Sequence, residues 1–262
     1  MLRPRITPCL LIHNGGLVKT VRFDEPKYVG DPLNAVKIFN EKEADELVVL
    51  DIDASVRGVE PDFHLIASLA AECRMPLCYG GGIKTPDQAR RIIGLGVEKI
   101  AISSVAVEDP SIITSIAAEV GRQSVVVVID VRRRGDDYEV WTHNGQRPAN
   151  VTLADSLREA GTRGAGEIVV NSIDQDGMMK GYDLELATRV REMTALPITM
   201  LGGAGSLDDI GRLVEKCGVL GAASGSLFVF KGIYRAVLIN YPRQSAKEEL
   251  IRRCLPPTAG HQ

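Results

Sequence analysis

SVVVVID, residues 124–130, sets four valines and an isoleucine in succession and ends them with a carboxylate. A β-branched run without a polar face reads as a strand buried on both sides, as in a parallel sheet. Asp130 then stands where that strand runs out. Full desolvation of a lone carboxylate is costly, so Asp130 is expected to face a cavity. The C-terminal ends of parallel strands are where ligands bind in open α/β sheets and in barrels. The competing reading is a helix N-cap or a loop-ordering carboxylate.

Downstream of this run comes a basic loop, Arg132-Arg133-Arg134. Residues 138–141 and 146–148 then flank His143-Asn144-Gly145 as a small hairpin insertion near 137–148. Helix is expected over 151–160 and 183–193, and strand over 167–172, 197–201 and 220–224. Ser206 caps a helix to Cys217. Helical residues are expected to continue from Phe228 to Cys254, broken near Pro242, with a frayed tail over 256–262.

Upstream, strands are expected at 6–12, 47–52, 76–79 and 99–103, with helices over 32–45, 62–73, 85–95 and 109–120. Thr85-Pro86 and Asp109-Pro110 supply cap-proline signals. A long glycine-bearing connection joins the first strand to about Asp31.

The chain repeats itself. ADELVVLDID from Ala44 resembles AGEIVVNSID from Ala165, a shift of 121 residues; at the same shift PLCYGGG from Pro76 meets PITMLGG from Pro197. Eight strand-helix units in two matched halves specify an α/β fold, a single (β/α)8 TIM barrel built from two similar half-barrels over 1–255. The length of 262 residues suits one such barrel.

A net charge of −3 with mixed signs gives no reason to expect nucleic acid or a membrane surface as a partner. Five scattered cysteines without a CxxC pair suit a reducing, cytoplasmic setting, and no metal or cofactor is expected. The four histidines share no spacing, and none is assigned to catalysis. Cys9 reads as a packed barrel residue and Trp141 as hairpin packing.

Each half carries a glycine turn after its third strand and small residues after its fourth. Gly81, Gly82, Ser103 and Ser104 belong to one half, Gly202, Gly203, Ser224 and Gly225 to the other. Glycine lets a phosphate reach backbone N–H groups, and two matched anion sites suggest a ligand with phosphates at both ends. At the opposite barrel end, Arg5, Glu46, Lys99 and Glu167 stand at the starts of strands one, two, four and six. They form either a salt-bridged plug or a polar gate.

RITPCL at 5–10, Lys19, LDIDAS at 50–55, YGGGI at 79–83, VVVIDVRR at 126–133, the stretch 164–183 and LGGAG at 201–205 together resemble the HisF family, the cyclase subunit of imidazole glycerol phosphate synthase. The resemblance implies a lyase-type barrel fed with ammonia by a separate glutaminase docked at its N-terminal face, near Glu98 and Gln123. It makes Arg5, Glu46, Lys99 and Glu167 the ammonia gate and Asp130 the general acid/base. It has Lys19 and Asp176 help to hold the ligand, with Asp51 beside them and the glycine and serine sites taking its phosphates.

The chain departs from that family where the second catalytic aspartate of strand one is expected: it has Leu11, which aligns with Asp130 between the halves. Asn171, Leu201 and the Ser103-Ser104 pair also replace family residues. With the gate residues retained and the pocket altered, the chain resembles HisF-like proteins of surface-polysaccharide (lipopolysaccharide, O-antigen) clusters. These work with a glutaminase and an ATP-dependent amidotransferase-like protein, on a phosphorylated small molecule or nucleotide-sugar, to convert an acetamido group to acetamidino. The alternatives are an authentic cyclase of histidine biosynthesis and a non-catalytic activator of a glutaminase.

Overall fold

The computed structural model describes residues 3–255. Its parallel strands are β1 (Arg5–His13), β2 (Leu47–Asp51), β3 (Leu77–Gly80), β4 (Lys99–Ile102), β5 (Val125–Arg134), β6 (Glu167–Ser172), β7 (Ile198–Leu201) and β8 (Gly221–Ser224). They pair in chain order, and β8 pairs with β1, Arg5 beside Gly221, to close the barrel. Outer helices, among them Phe63–Glu72, Pro86–Gly94, Ser111–Val120 and Leu207–Cys217, separate them. This is a (β/α)8 barrel.

The decisive run behaves as its composition requires. Val125, Val127 and Ile129 pack outward against the helices, while Val126 and Val128 face an inner cluster with Cys9, Cys78, Ala101, Val169, Leu201 and Ala223. Alternation with period two thus divides one apolar strand between two cores.

The duplication is visible in atomic detail. Leu77–Gly80 and Ile198–Leu201 lie 121 residues apart, as do the caps of the helices that follow. Thr85 with Gln88 and Ser206 with Asp209 each form a capping box, satisfying orphan N–H groups at the helix start. A Cβ on Gly81 would strike the carbonyl of Asp51, and one on Gly202 the carbonyl of Ser172, so both turns need glycine for the same reason.

Three expectations are corrected. The connection after β1 is a hairpin, with strands Gly16–Val21 and Asp24–Gly30. Arg132, Arg133 and Arg134 are strand rather than loop. β5 runs past Asp130 and leaves the barrel to pair with Asp137–Thr142, which in turn pairs with Arg147–Thr152. The three arginines are all engaged. Arg132 stacks over Trp141, Arg133 pairs with Glu185 and Arg134 with Glu139. Finally, the stretch from Phe228 to Cys254 is not continuous helix. A four-residue turn, Ser226–Val229, gives way to short paired strands Phe230–Lys231 and Ala236–Val237, and helix resumes only over Gln244–Cys254. The expected frayed tail lies outside the described residues.

Candidate active site

A cavity of about 400 Å³ opens at the C-terminal ends of the strands, and Asp130 is on its wall. The carboxylate is 8% exposed. Asn171 Nδ2 donates to its Oδ1 at 3.1 Å and Ser103 Oγ to its Oδ2 at 3.3 Å. Burial pushes the carboxyl up to about 6, against the pull of those two donors. Leu11, four strands away on β1, lines the same cavity, so the position matching Asp130 in the other half presents a hydrocarbon.

Lys19 reaches the cavity from the Gly16–Val21 strand. Its Nζ donates to the carbonyl of Cys9 at 2.5 Å and lies against Gly225, where no Cβ fits. Burial lowers the pKa of the ammonium. Asp176 also lines the cavity, but its Oδ2 accepts from Thr20 Oγ1 at 2.6 Å and from the backbone N–H of Phe23 at 3.2 Å. It therefore clasps the Arg22-Phe23 turn, whose residues have φ of 55° and 66°. Asp51 Oδ1 accepts from the N–H groups of Asp53 and Ala54, opening the short helix Ala54–Arg57, and burial raises its pKa.

The two expected anion sites are placed unequally. Gly81, Gly82, Ser103, Ser104 and Gly225 line the cavity, whereas Gly202, Gly203 and Ser224 are not on its wall. The glycine turn after β7 is covered by the loop after β6: Gly181 donates its N–H to Gly203 O at 2.8 Å, and Gly205 abuts Met179. Ser224 Oγ donates to the carbonyl of Ala204 at 3.5 Å. The serine hydroxyls of the first half have protein partners too, Ser103 with Asp130 and Ser104 with the N–H of His143.

His143 is one of the cavity residues that sequence reasoning missed. It sits in the turn between the strands Asp137–Thr142 and Arg147–Thr152, lines the cavity with Asn144, and holds its ring 3.5 Å from Glu108. His143 and Asn144 adopt φ of 52° and 54° ahead of Gly145, and the Asn-Gly pair was the available signal for that tip.

At the other barrel end the four expected charges meet in one ring. Arg5 pairs with Glu46 at 2.9 Å and with Glu167 at 2.5 Å; Lys99 pairs with Glu46 at 2.6 Å and Glu167 at 3.0 Å. Thr199 Oγ1 donates to Glu167 as well. Although burial pushes the Glu167 carboxyl up, Arg5 and Lys99 hold it below its usual range. Glu98 and Gln123, both exposed, precede β4 and β5 on the same face. Among the described residues, no helix is long and apolar enough to cross a membrane, and no group of three His, Cys, Asp or Glu side chains is placed to hold a metal ion.

The family described as histidine biosynthesis protein matches residues 5–234. A Vibrio vulnificus (strain YJ016) protein, provisionally named imidazole glycerol phosphate synthase subunit hisF3, is 57% identical over 253 residues, covering 96% of this chain and 97% of that one. A Leptospira borgpetersenii protein, provisionally named subunit HisF of the same synthase, is 56% identical, covering 95% and 99%. The imidazole glycerol phosphate synthase subunit HisF of Hyphomonas neptunium is 39% identical over 230 residues, covering 88% and 91%.

Proposed function

The chain belongs to the histidine biosynthesis protein family, as a HisF-like synthase subunit, and from that premise we propose that it accepts ammonia from a separate glutaminase in the cytoplasm and serves acetamido-to-acetamidino conversion on a surface-polysaccharide sugar. The observation that carries this reading is the pairing of a complete charged ring at one barrel end with Asp130 at the other, where Leu11 stands at the position that matches Asp130 on the shared wall. Cyclisation of the family kind requires protons to be taken and given on two sides of a ligand. One carboxylate and a leucine serve one side only, and loss of an acid/base partner costs about 10²–10⁴ in rate.

Amidination asks less of the barrel. A separate ATP-dependent protein turns the acetamido oxygen into a leaving group, and the nitrogen of ammonia takes its place. The barrel then has to deliver ammonia and accept a proton, for which a carboxyl near 6 is suited at neutral pH. The glutaminase would dock on the ring's face, beside Glu98 and Gln123, and the phosphorylated sugar or nucleotide-sugar would enter from the cavity side, where Lys19, Gly81 and Gly82 stand. The same cavity favours one second reading: Asp130 remains poised as an acid/base, as an authentic cyclase requires.

A spectrophotometric assay with the ribulosyl-formimino nucleotide of histidine biosynthesis and excess ammonium separates the two. Ammonium replaces the glutaminase, so only the barrel's own chemistry is read. The expected result is no turnover, with glutaminase-dependent amidination of an acetamido sugar once the partner proteins are added. Cyclase turnover abolished by Asp130→Asn would overturn the proposal.

A further inference from the structure

Ile233 and Tyr234 are 88% and 89% exposed at the tip of the short hairpin formed by Phe230–Lys231 and Ala236–Val237, and Val237 and Leu238 are exposed on its return. The hairpin is hydrogen-bonded throughout. Arg235 donates its N–H to Gly232 O at 3.1 Å, Leu238 to Val229 O and Asn240 to Phe228 O, both at 2.9 Å. A soluble surface ordinarily scatters large apolar side chains singly, and a contiguous group marks an interaction site. The other large hydrophobics exposed among the described residues are Tyr28, Val56, Val59, Val151 and Met193. All but Met193 lie, like the hairpin, between a barrel strand and the outer helix that follows it. Apolar exposure is thus gathered in the segments that leave the cavity ends of the strands.

The charges around the hairpin narrow what covers it. Lys27 holds its Nζ 5.3 Å from the centre of the Phe230 ring, at the hairpin's base. Among the described residues, neither Lys27 nor Lys231 nor Arg235 is in an ion pair, and residues 228–242 contain no acid. An apolar centre edged by unpaired cations fits a partner with an apolar hollow edged by carboxylates. Asp24 and Glu25, exposed on the strand that carries Lys27, would repel an anionic lipid surface, so the charges fit a protein better.

Position selects among proteins. The hairpin begins four residues beyond Ser226, which lines the cavity. On the reading above, an ATP-dependent protein makes an activated acetamido group that this cavity receives. Water attacking the activated carbon returns the acetamido group, so the protein that makes it has to sit over the cavity mouth. We propose that the hairpin 230–238 is the docking surface for that ATP-dependent protein, with Ile233 and Tyr234 as apolar anchors and Lys27, Lys231 and Arg235 meeting carboxylates at the edge. This rests on the amidination reading and names the place of one of its partners. The glutaminase, at the opposite barrel end in the same reading, is left free to bind at the same time.

The test is binding, read without turnover. The full chain is titrated by isothermal calorimetry with the source organism's purified ATP-dependent amidotransferase-like protein, with and without the glutaminase present. The expected result is a complex that forms equally well in both cases and weakens at high salt. Its affinity should fall by about 30-fold or more in the double variant Ile233→Asp with Tyr234→Asp. Lys231→Glu, which keeps the apolar tip, should weaken binding and reduce its salt dependence. No binding, binding unchanged in the double variant, or displacement by the glutaminase would overturn the proposal. Self-association in analytical ultracentrifugation, or binding to vesicles of phosphatidylglycerol and phosphatidylethanolamine, would also overturn it if lost in the double variant, since the surface would then belong to a second copy or to a membrane. A complex with the expected properties that amidates no acetamido sugar would instead count against the functional reading alone.

Discussion

A carboxylate as buried as that of Asp130, on a wall it shares with Val128 and Leu201, is poorly solvated, and two hydrogen bonds, from Asn171 and Ser103, offset that. Its pKa of about 6 against an ordinary 3.8 means that the folded protein holds the proton more tightly than the unfolded chain does. The resulting stabilisation is complete below about pH 4 and lost as pH rises through about 6, so the ionised group destabilises the neutral protein by about 3 kcal/mol at most. Asp130→Asn is therefore expected to be more stable than the wild type at pH 7 and to lose that advantage near pH 4, which urea unfolding at the two pH values would check. A matching stability at both would show that Asp130 is better solvated than its surroundings indicate. On the proposed reading, Leu11→Asp adds a second acid/base carboxylate across the cavity from Asp130. It is expected to raise ammonium-dependent cyclase turnover by about 10²–10⁴ over the wild-type background, read in the same nucleotide assay.

Among the elements, the hairpin of Gly16–Val21 and Asp24–Gly30 is joined to β1 through its first strand and has its turn held by one distant residue, Asp176. Its Arg22-Phe23 turn takes left-handed backbone angles without glycine or asparagine, and Asp176 supports it through its carboxylate and its backbone carbonyl, which accepts the N–H of Arg22 at 3.0 Å. Asp176→Ala should release the turn and leave the barrel intact, giving faster amide hydrogen exchange in residues 16–30 with little change in exchange for β5 and β6. Unchanged exchange would mean that the turn holds itself. The same contact explains why this hairpin is illegible in the sequence: its turn is held by a residue more than 150 positions away, and the strand Asp24–Gly30 is largely exposed and carries Pro26, so it lacks alternation. Buried strands such as β5 and caps such as Thr85 and Ser206 were readable because their signals are local. The segment after Phe228 misled for the opposite reason. Its apolar residues have no period, and Tyr241, not helical packing, anchors it, donating to the carbonyl of Ile6 at 2.8 Å. Within the site, the ring and Asp130 could be located from strand ends alone. His143 could not, since its place depends on how far β5 continues beyond the barrel.

For the whole molecule, the charged ring joins β1, β2, β4 and β6 at the end opposite the cavity, so its integrity and the closure of the barrel are coupled. The seam lies beside it. Gly221 pairs with both Arg5 and Thr199, and a Cβ there would overlap the Thr199 hydroxyl that donates to Glu167. Threonine is stiff at χ1, so the hydroxyl has little room to yield. Gly221→Ala should therefore cost roughly 1–3 kcal/mol, as overpacking does. Glu167→Gln strikes the same ring through charge, leaving Arg5 and Lys99 to share Glu46. The expected cost is roughly 2–4 kcal/mol, below that of a fully buried pair because Arg5 is 33% exposed. The pH dependence distinguishes the two variants. Arg5 and Lys99 hold the Glu167 carboxyl below its usual range, so its contribution is present above the ordinary carboxylate pKa and is lost as pH falls through the lower folded value. Acid unfolding followed by circular dichroism should thus show a shallower loss of stability in Glu167→Gln than in the wild type. Gly221→Ala, which keeps the carboxylate, should retain the steep wild-type slope from a lower starting stability. Equal slopes in all three proteins would show that the ring's charges are solvated rather than shielded within the barrel end.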